Sequence, residues 1–194
     1  MIKNIKIGDV LGEVFEVVMI FGGNEQINEN DESGLGVVYL VRNIETDECH
    51  ALKTFQDKFI YEENTFDDFK LESLEWIKLK PHPNIVSAII ATIIDERPFL
   101  ILEPIVPVNG KQTLKHYLHD PLTLKQILDW SIQFCHGMEF INDSGIKVHG
   151  DIKPDNILIF FNRVKITDFG LLELFESTDE NLVNQYYTNN ACGT

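Results

Sequence analysis

The chain has few cysteines, few basic residues and no long apolar run. Cys49, Cys135 and Cys192 are the only three cysteines in 194 residues. They are odd in number and widely spaced, and none forms a CxxC pair, which argues against a disulfide framework or a zinc knuckle. A reducing, cytoplasmic setting is the resulting expectation. Lys and Arg number 16 against 31 Asp and Glu, a net charge of −15. So acidic a chain lacks the basic face that nucleic acid requires, and an anionic membrane surface repels it. The longest nearly unbroken apolar run, Ile85 to Ile94, falls well short of the ~20 residues of a membrane span. Met1 to Val10 lacks the apolar centre of a signal peptide. There is no internal repeat and no low-complexity tract.

What is present is an ordinary globular composition, 44% hydrophobic and 24% charged, able to bury a core. Residues 14–21, Val37 to Arg42 and His50 to Phe55 are rich in β-branched and aromatic residues and read as strands. Residues 24–32 are polar and acidic and read as loop. Thr65 to Lys80 has apolar residues near a 3.6 period, with Thr65 as cap, and Pro81 and Pro83 stop it. Ile85 to Ile94 and Pro98 to Leu102 read as buried strands. Thr123 to Ile141 is the clearest helix: Thr123 and Gln126 form a capping box, and Leu124, Ile127, Leu128, Cys135, Met138 and Ile141 make one face mostly apolar. Ile157 to Phe161 and Val164 to Thr167 read as a β pair turning at Asn162-Arg163. Strands with one helix come first, then mainly helix, then a small hairpin. This order predicts an α+β protein of two lobes, hinged near Glu103 to Asn109, where Pro104, Pro107 and Gly110 cluster.

The densest chemistry lies in His149-Gly150-Asp151-Ile152-Lys153-Pro154-Asp155-Asn156, with Asp168-Phe169-Gly170 twelve residues past Asn156. Three groups able to handle a metal or a proton, Asp151, Asn156 and Asp168, fall within 18 residues around a lysine. This double motif resembles the HxDxKPxN and DFG signatures of the protein kinase family. Upstream, Ala51-Leu52-Lys53 resembles the family's A-x-K strand, and His82-Pro83-Asn84-Ile85-Val86 its HPNIV segment. The similarity runs from residue 7 to 194. The Lys-Pro-Asp-Asn form resembles Ser/Thr kinases rather than Tyr kinases.

The resemblance implies a two-lobed kinase fold: a small ATP-binding lobe over 1–102, a hinge over 103–110, and a partial, mainly helical large lobe over 111–194. It implies ATP and Mg²⁺ as cofactors and a protein Ser or Thr as acceptor. Asp151 would aim and deprotonate the acceptor hydroxyl, and Lys153 would neutralise the moving phosphoryl group. Lys53 would hold the phosphates, paired with Glu72 (Glu75 being the alternative). Asn156 and Asp168 would bind the metal. Val38, Ala51 and Leu158 would pack on adenine, with Glu103 and Ile105 at the hinge. His149 would be structural, supporting Phe169, and Trp76 would stack toward the same ring. His116 and His119 lack a third ligand, so a metal is not expected there.

Three departures qualify the resemblance. The glycine loop is irregular: Gly36-Val37-Val38-Tyr39 fits its end, and counting back puts Ser33 on the second glycine and Asp31 on the first, with Gly34 as a further phosphate-loop residue; an alternative alignment starts at Gly22-Gly23 with 24–32 as an acidic insertion. Gly150 replaces the arginine that usually anchors an activation-loop phosphate, which implies independence from that phosphorylation. The chain stops after Cys192-Gly193-Thr194, before an APE motif. This implies a partner or downstream segment that completes the large lobe, without which the apolar face of the long helix is exposed. Two further readings stand beside the Ser/Thr kinase. One is a catalytically weak or inactive ATP-binding or interaction module. The other is an enzyme phosphorylating a small molecule, against which the HPNIV segment and Lys153-Pro154 argue.

Overall fold

Five segments rich in β-branched and apolar residues build one antiparallel sheet, and a sixth short strand extends it. In the computed structural model, residues 4–22, 36–57, 65–146 and 149–168 are described, apart from the side chains of 65–68 and 70–72. Close contacts divide them into two units. The first comprises the residues up to Leu74 and Ala88–Pro104, and the second Glu75–Ser87 and the residues from Ile105 onward.

The first unit holds β1 (Val10–Leu11), β2 (Phe15–Phe21), β3 (Gly36–Asn43), β4 (Cys49–Phe55), β5 (Ala88–Ile94) and β6 (Arg97–Leu102), in the order β1-β2-β3-β4-β6-β5. All pairings are antiparallel. One face buries Val37, Tyr39, Val41, Leu52, Phe99 and Ile101 in a common core with Val17 and Leu11. Successive side chains alternate across a strand, so Val38, Ala51 and Lys53 share the opposite face. Phe55, on that face, meets Phe69 of α1 (Thr65–Lys78) edge-on at 5.7 Å. Thr65 is the first helical residue rather than the cap, and α1 ends at Lys78, two residues short of the expected end.

In the second unit, α2 (Leu124–Asp143) begins at the expected capping box, Thr123 Oγ1 accepting from the Gln126 amide. Its inner side buries Trp130, Gly137 and Ile141, while Leu124, Leu128 and Ile132 are more than half exposed. β7 (Ile157–Phe160) and β8 (Arg163–Ile166) form a hairpin. Its turn is Phe161-Asn162, one residue earlier than the sequence suggests. Both turn residues have positive φ, 46° and 65°, as the tight hairpin turn matching strand twist requires; asparagine tolerates the second position. Ile85 and Val86, expected to open β5, pair with Ile166 of β8 instead, which delays β5 to Ala88. Among the described residues, no helix is long and apolar enough to cross a membrane.

Candidate active site

In the first unit, the sheet ladder places the upstream candidates. Val38 lies opposite Lys53, Lys53 opposite Leu100, and Ala51 opposite Leu102. Directly opposed residues put their side chains on one face, about 5 Å apart. Val38, Ala51 and Lys53 therefore form a contiguous patch whose geometry is main-chain register. Lys53 is 6% exposed, which requires compensation for its ammonium. Gly36 closes the row. A Cβ there meets Lys53 Cε at 3.5 Å, an ordinary contact, and its φ is not positive. The fold does not demand glycine at this position. Glu103 follows the last residue of β6. Glu72 lies in α1, but its side chain, like Gly34 and the acidic stretch, is outside the described residues.

In the second unit, irregular backbone carries the downstream candidates, and side chains hold it. Asp151 Oδ2 accepts from Lys153 Nζ at 2.7 Å and from Asn156 Nδ2 at 2.8 Å. Asn156 Nδ2 also donates to Asp151 O at 2.9 Å. The Asn156 amide is thereby turned with its nitrogen toward Asp151, leaving its oxygen directed elsewhere. A short helical turn, Pro154–Asn156, starts with proline, which lacks the amide hydrogen such a turn leaves unpaired. Lys115 Nζ reaches Asp155 in that turn at 2.9 Å. Thr167 N donates to Asn156 O at 3.1 Å, and Thr167 Oγ1 to Asp168 Oδ1 at 3.3 Å. Asp168 has φ 57°, a left-handed conformation that costs energy outside glycine and concentrates at functional sites.

His149 is 2% exposed. Its Nδ1 accepts from Asp151 N at 3.3 Å, so Nε2 carries the proton and donates to Thr167 O at 3.1 Å. Burial lowers its pKa, against smaller opposing effects of the Thr167 carbonyl, Asp168 and Asp151. It is a neutral strut between the two halves of the constellation. Partial burial pushes the Asp151 carboxyl up, but the bonds from Lys153 and Asn156 outweigh this and hold it below the usual carboxylate value. Asp151 is thus ionised near neutrality, an acceptor aimed outward by two donors. Asn156 and Asp168 offer an amide oxygen and a carboxylate, the hard oxygen donors that Mg²⁺ takes with water and phosphate. The residues fit that ion.

Ile105 is buried, and its carbonyl accepts from Gln112 Nε2. Leu158, in β7, pairs with Lys165 and bridges to Thr113. The structure thus places Val38, Ala51 and Lys53 together in one unit, and Asp151, Lys153, Asn156 and Asp168 together in the other. Trp76 is buried, donating Nε1–H to Val86 O at 2.7 Å. Phe169, the expected partner of His149 and Trp76, is outside the described residues, as is the segment after it. His116 takes the Thr113 amide on Nδ1 at 3.1 Å, a capping contact. Sequence reasoning missed Gln112, Gln133 and the role of Asn84. Only Asn84 left a signal, its place in His82-Pro83-Asn84.

The chain is similar to known proteins in sequence and in fold. The family described as the protein kinase domain matches residues 32–194. The Aurora kinase of Saccharomyces cerevisiae is 34% identical over 136 residues, 70% of this chain and 36% of that protein. The serine/threonine-protein kinase AtPK1/AtPK6 of Arabidopsis thaliana is 29% identical over 98% of this chain and 37% of its own length. The serine/threonine-protein kinase PrkC of Bacillus subtilis is 30% identical over 89% of this chain and 25% of its own. The chain spans about a third of the length of the curated relatives it matches. Among solved structures, the PknI kinase domain of Mycobacterium tuberculosis superposes with a TM-score of 0.61 at 19% identity, covering 94% of this chain and 69% of that one. That likeness concerns the fold.

Proposed function

The chain belongs to the protein kinase domain family, and from that premise we propose that it transfers the γ-phosphoryl group of ATP to a Ser or Thr hydroxyl of a protein. The observation that carries this reading is the Asp151 carboxylate, held ionised between Lys153 Nζ and Asn156 Nδ2. Phosphoryl transfer asks mainly for positioning and charge stabilisation. The acceptor oxygen forms a bond to the γ-phosphorus, the bond to the β–γ bridging oxygen breaks, and ADP leaves. The hydroxyl proton passes late to Asp151, whose low basicity suits an aiming role. Lys153 offsets charge on the moving group.

Lys53 contacts the phosphates and Glu72 pairs with it. Val38, Ala51 and Leu158 pack on adenine, Glu103 and Ile105 present hinge backbone, and Gly34 and Gly36 leave bare backbone for the phosphates. A glycine that the fold does not require at position 36 supports that reading. Asn156 and Asp168 would hold Mg²⁺, which would supply charge neutralisation to the transferring phosphoryl group. Residues 1–102 are then the ATP-binding lobe, 103–110 the hinge, and 111–194 belong to the large lobe.

The test is labelling of a general protein substrate with γ-labelled ATP, followed by phosphoamino-acid analysis. The expected result is label on Ser and Thr that Lys53→Met abolishes. Thermal stabilisation by Mg–ATP without any transfer sinks the enzyme reading and leaves an ATP-binding module.

A further inference from the structure

Gln133, on the inner side of α2, spends its whole amide on other elements. Its Oε1 accepts from Val164 N at 2.9 Å and from Asn84 Nδ2 at 3.2 Å, and its Nε2 donates to Asn162 O at 3.1 Å. Asn84, 6% exposed, completes the clamp: its Nδ2 also donates to Val164 O at 2.9 Å, and its own carbonyl accepts from Ile166 N at 2.9 Å. One turn along α2, a Cβ on Gly137 would stand 2.7 Å from Ile166 Cδ1 and 3.1 Å from Asn84 O. The helix therefore approaches β8 closely enough for an apolar side chain at 133 to fill the contact. Apolar packing is not directional. Three directed bonds fix where β8 stands along its own length.

That height matters at the far end of the strand. Thr167 follows β8 directly. Its amide holds Asn156 O, its hydroxyl holds Asp168 Oδ1, and its carbonyl takes His149. We propose that Gln133 is a positioning residue for phosphoryl transfer, setting the register of β8 and through Thr167 the alignment of Asp168 with Asn156. The inference rests on the reading of Asn156 and Asp168 as metal ligands.

The test uses the full chain with Mn²⁺ and a non-hydrolysable ATP analogue, following Mn²⁺ binding by electron paramagnetic resonance and amide hydrogen exchange at 164–167. Direct supports of metal ligands typically change affinity about 10–100-fold. For Gln133→Met, one link further out, half-saturating Mn²⁺ is expected to rise about fivefold, with faster exchange at 164–167 and unchanged exchange in β3 and β4. Asn84→Ala moves both readouts the same way by less, and it decides the question if Gln133→Met does not fold. Trp130→Phe, which removes the bond to Asn162 Oδ1 and shrinks a buried ring packed on Tyr117, perturbs the same turn and leaves Mn²⁺ binding at the wild-type value. Faster exchange with wild-type Mn²⁺ binding in Gln133→Met overturns the proposal, because Gln133 is then merely structural. Wild-type Mn²⁺ binding in Asp168→Asn refutes the ligand reading itself, whatever Gln133→Met does.

Discussion

The two units hold their candidate residues by different means. Val38, Ala51 and Lys53 sit on adjacent strands, where the antiparallel ladder sets their spacing. Their side chains are passengers on the main chain. Asp151, Asn156 and Asp168 sit on irregular backbone, tied together by Asn156 Nδ2, Thr167 and His149. There the side chains are the scaffold. A ladder tolerates loss of one side chain without moving its neighbours, whereas a side-chain network is coupled. Substitutions in the second unit should therefore spread, and those in the first should stay local.

The largest expected effect is that of Asn156→Ala. It frees Asp151 from one of its two donors and removes a proposed metal ligand, so turnover should fall by about a hundredfold or more. Steady-state kinetics at saturating ATP checks it, and a loss under about threefold would break the comparison. Next is Gly137→Ala, whose new methyl must displace Ile166 or Asn84. It should cost about 1–3 kcal/mol in denaturant unfolding, with faster amide exchange in β8 and none in β3 or β4.

Val38→Ala is smaller and local. Losing roughly one or two buried methylene equivalents should raise the KM for ATP about fivefold, with turnover unchanged. A fall in turnover would show that the ladder also transmits.

The smallest effect is a pH dependence. Burial keeps the folded His149 imidazole below its ordinary value of 6.5, so it folds neutral. Its contribution to stability is whole above that value and is lost as pH falls from there through the folded pKa. His149→Gln should flatten this loss in a series of unfolding curves, leaving among the described residues the part due to His82, which burial also lowers, and at more acid pH the part due to Asp151.

The first unit was largely legible because its information is local: runs of β-branched and aromatic residues mark its strands. Which face meets the core was not legible, because Val37 to Val41 is apolar throughout; the ladder sets Val37, Tyr39, Val41 and Leu52 in the core and Val38, Ala51 and Lys53 on the other face. The capping box at Thr123 was legible for the same reason, since both partners lie within one turn. Contacts made across long separations left no such trace. Arg97 is 3% exposed because Thr54, Asp57 and Phe55 O receive its guanidinium, and nothing near residue 97 announces that. Ile85 and Val86 looked like the start of β5, but the edge of β8 competes for them. The apolar stripe of α2 was visible, yet its direction was not: Trp130, Gly137 and Ile141 face inward, and Leu124, Leu128 and Ile132 outward. The motif residues around Asp151 were identified by spacing, whereas the supports from Gln133 and Asn84 appear only in three dimensions.

In the proposed reaction Asp151 acts on the acceptor and not on nucleotide binding. Its most direct test is Asp151→Asn, with Mg–ATP binding measured by titration calorimetry beside the rate of γ-phosphoryl transfer. The expected result is a Kd within about threefold of wild type and a transfer rate lower by about a thousandfold, the scale of a lost general base. Transfer at the wild-type rate, or a loss of transfer matched by an equal loss of ATP binding, would contradict it.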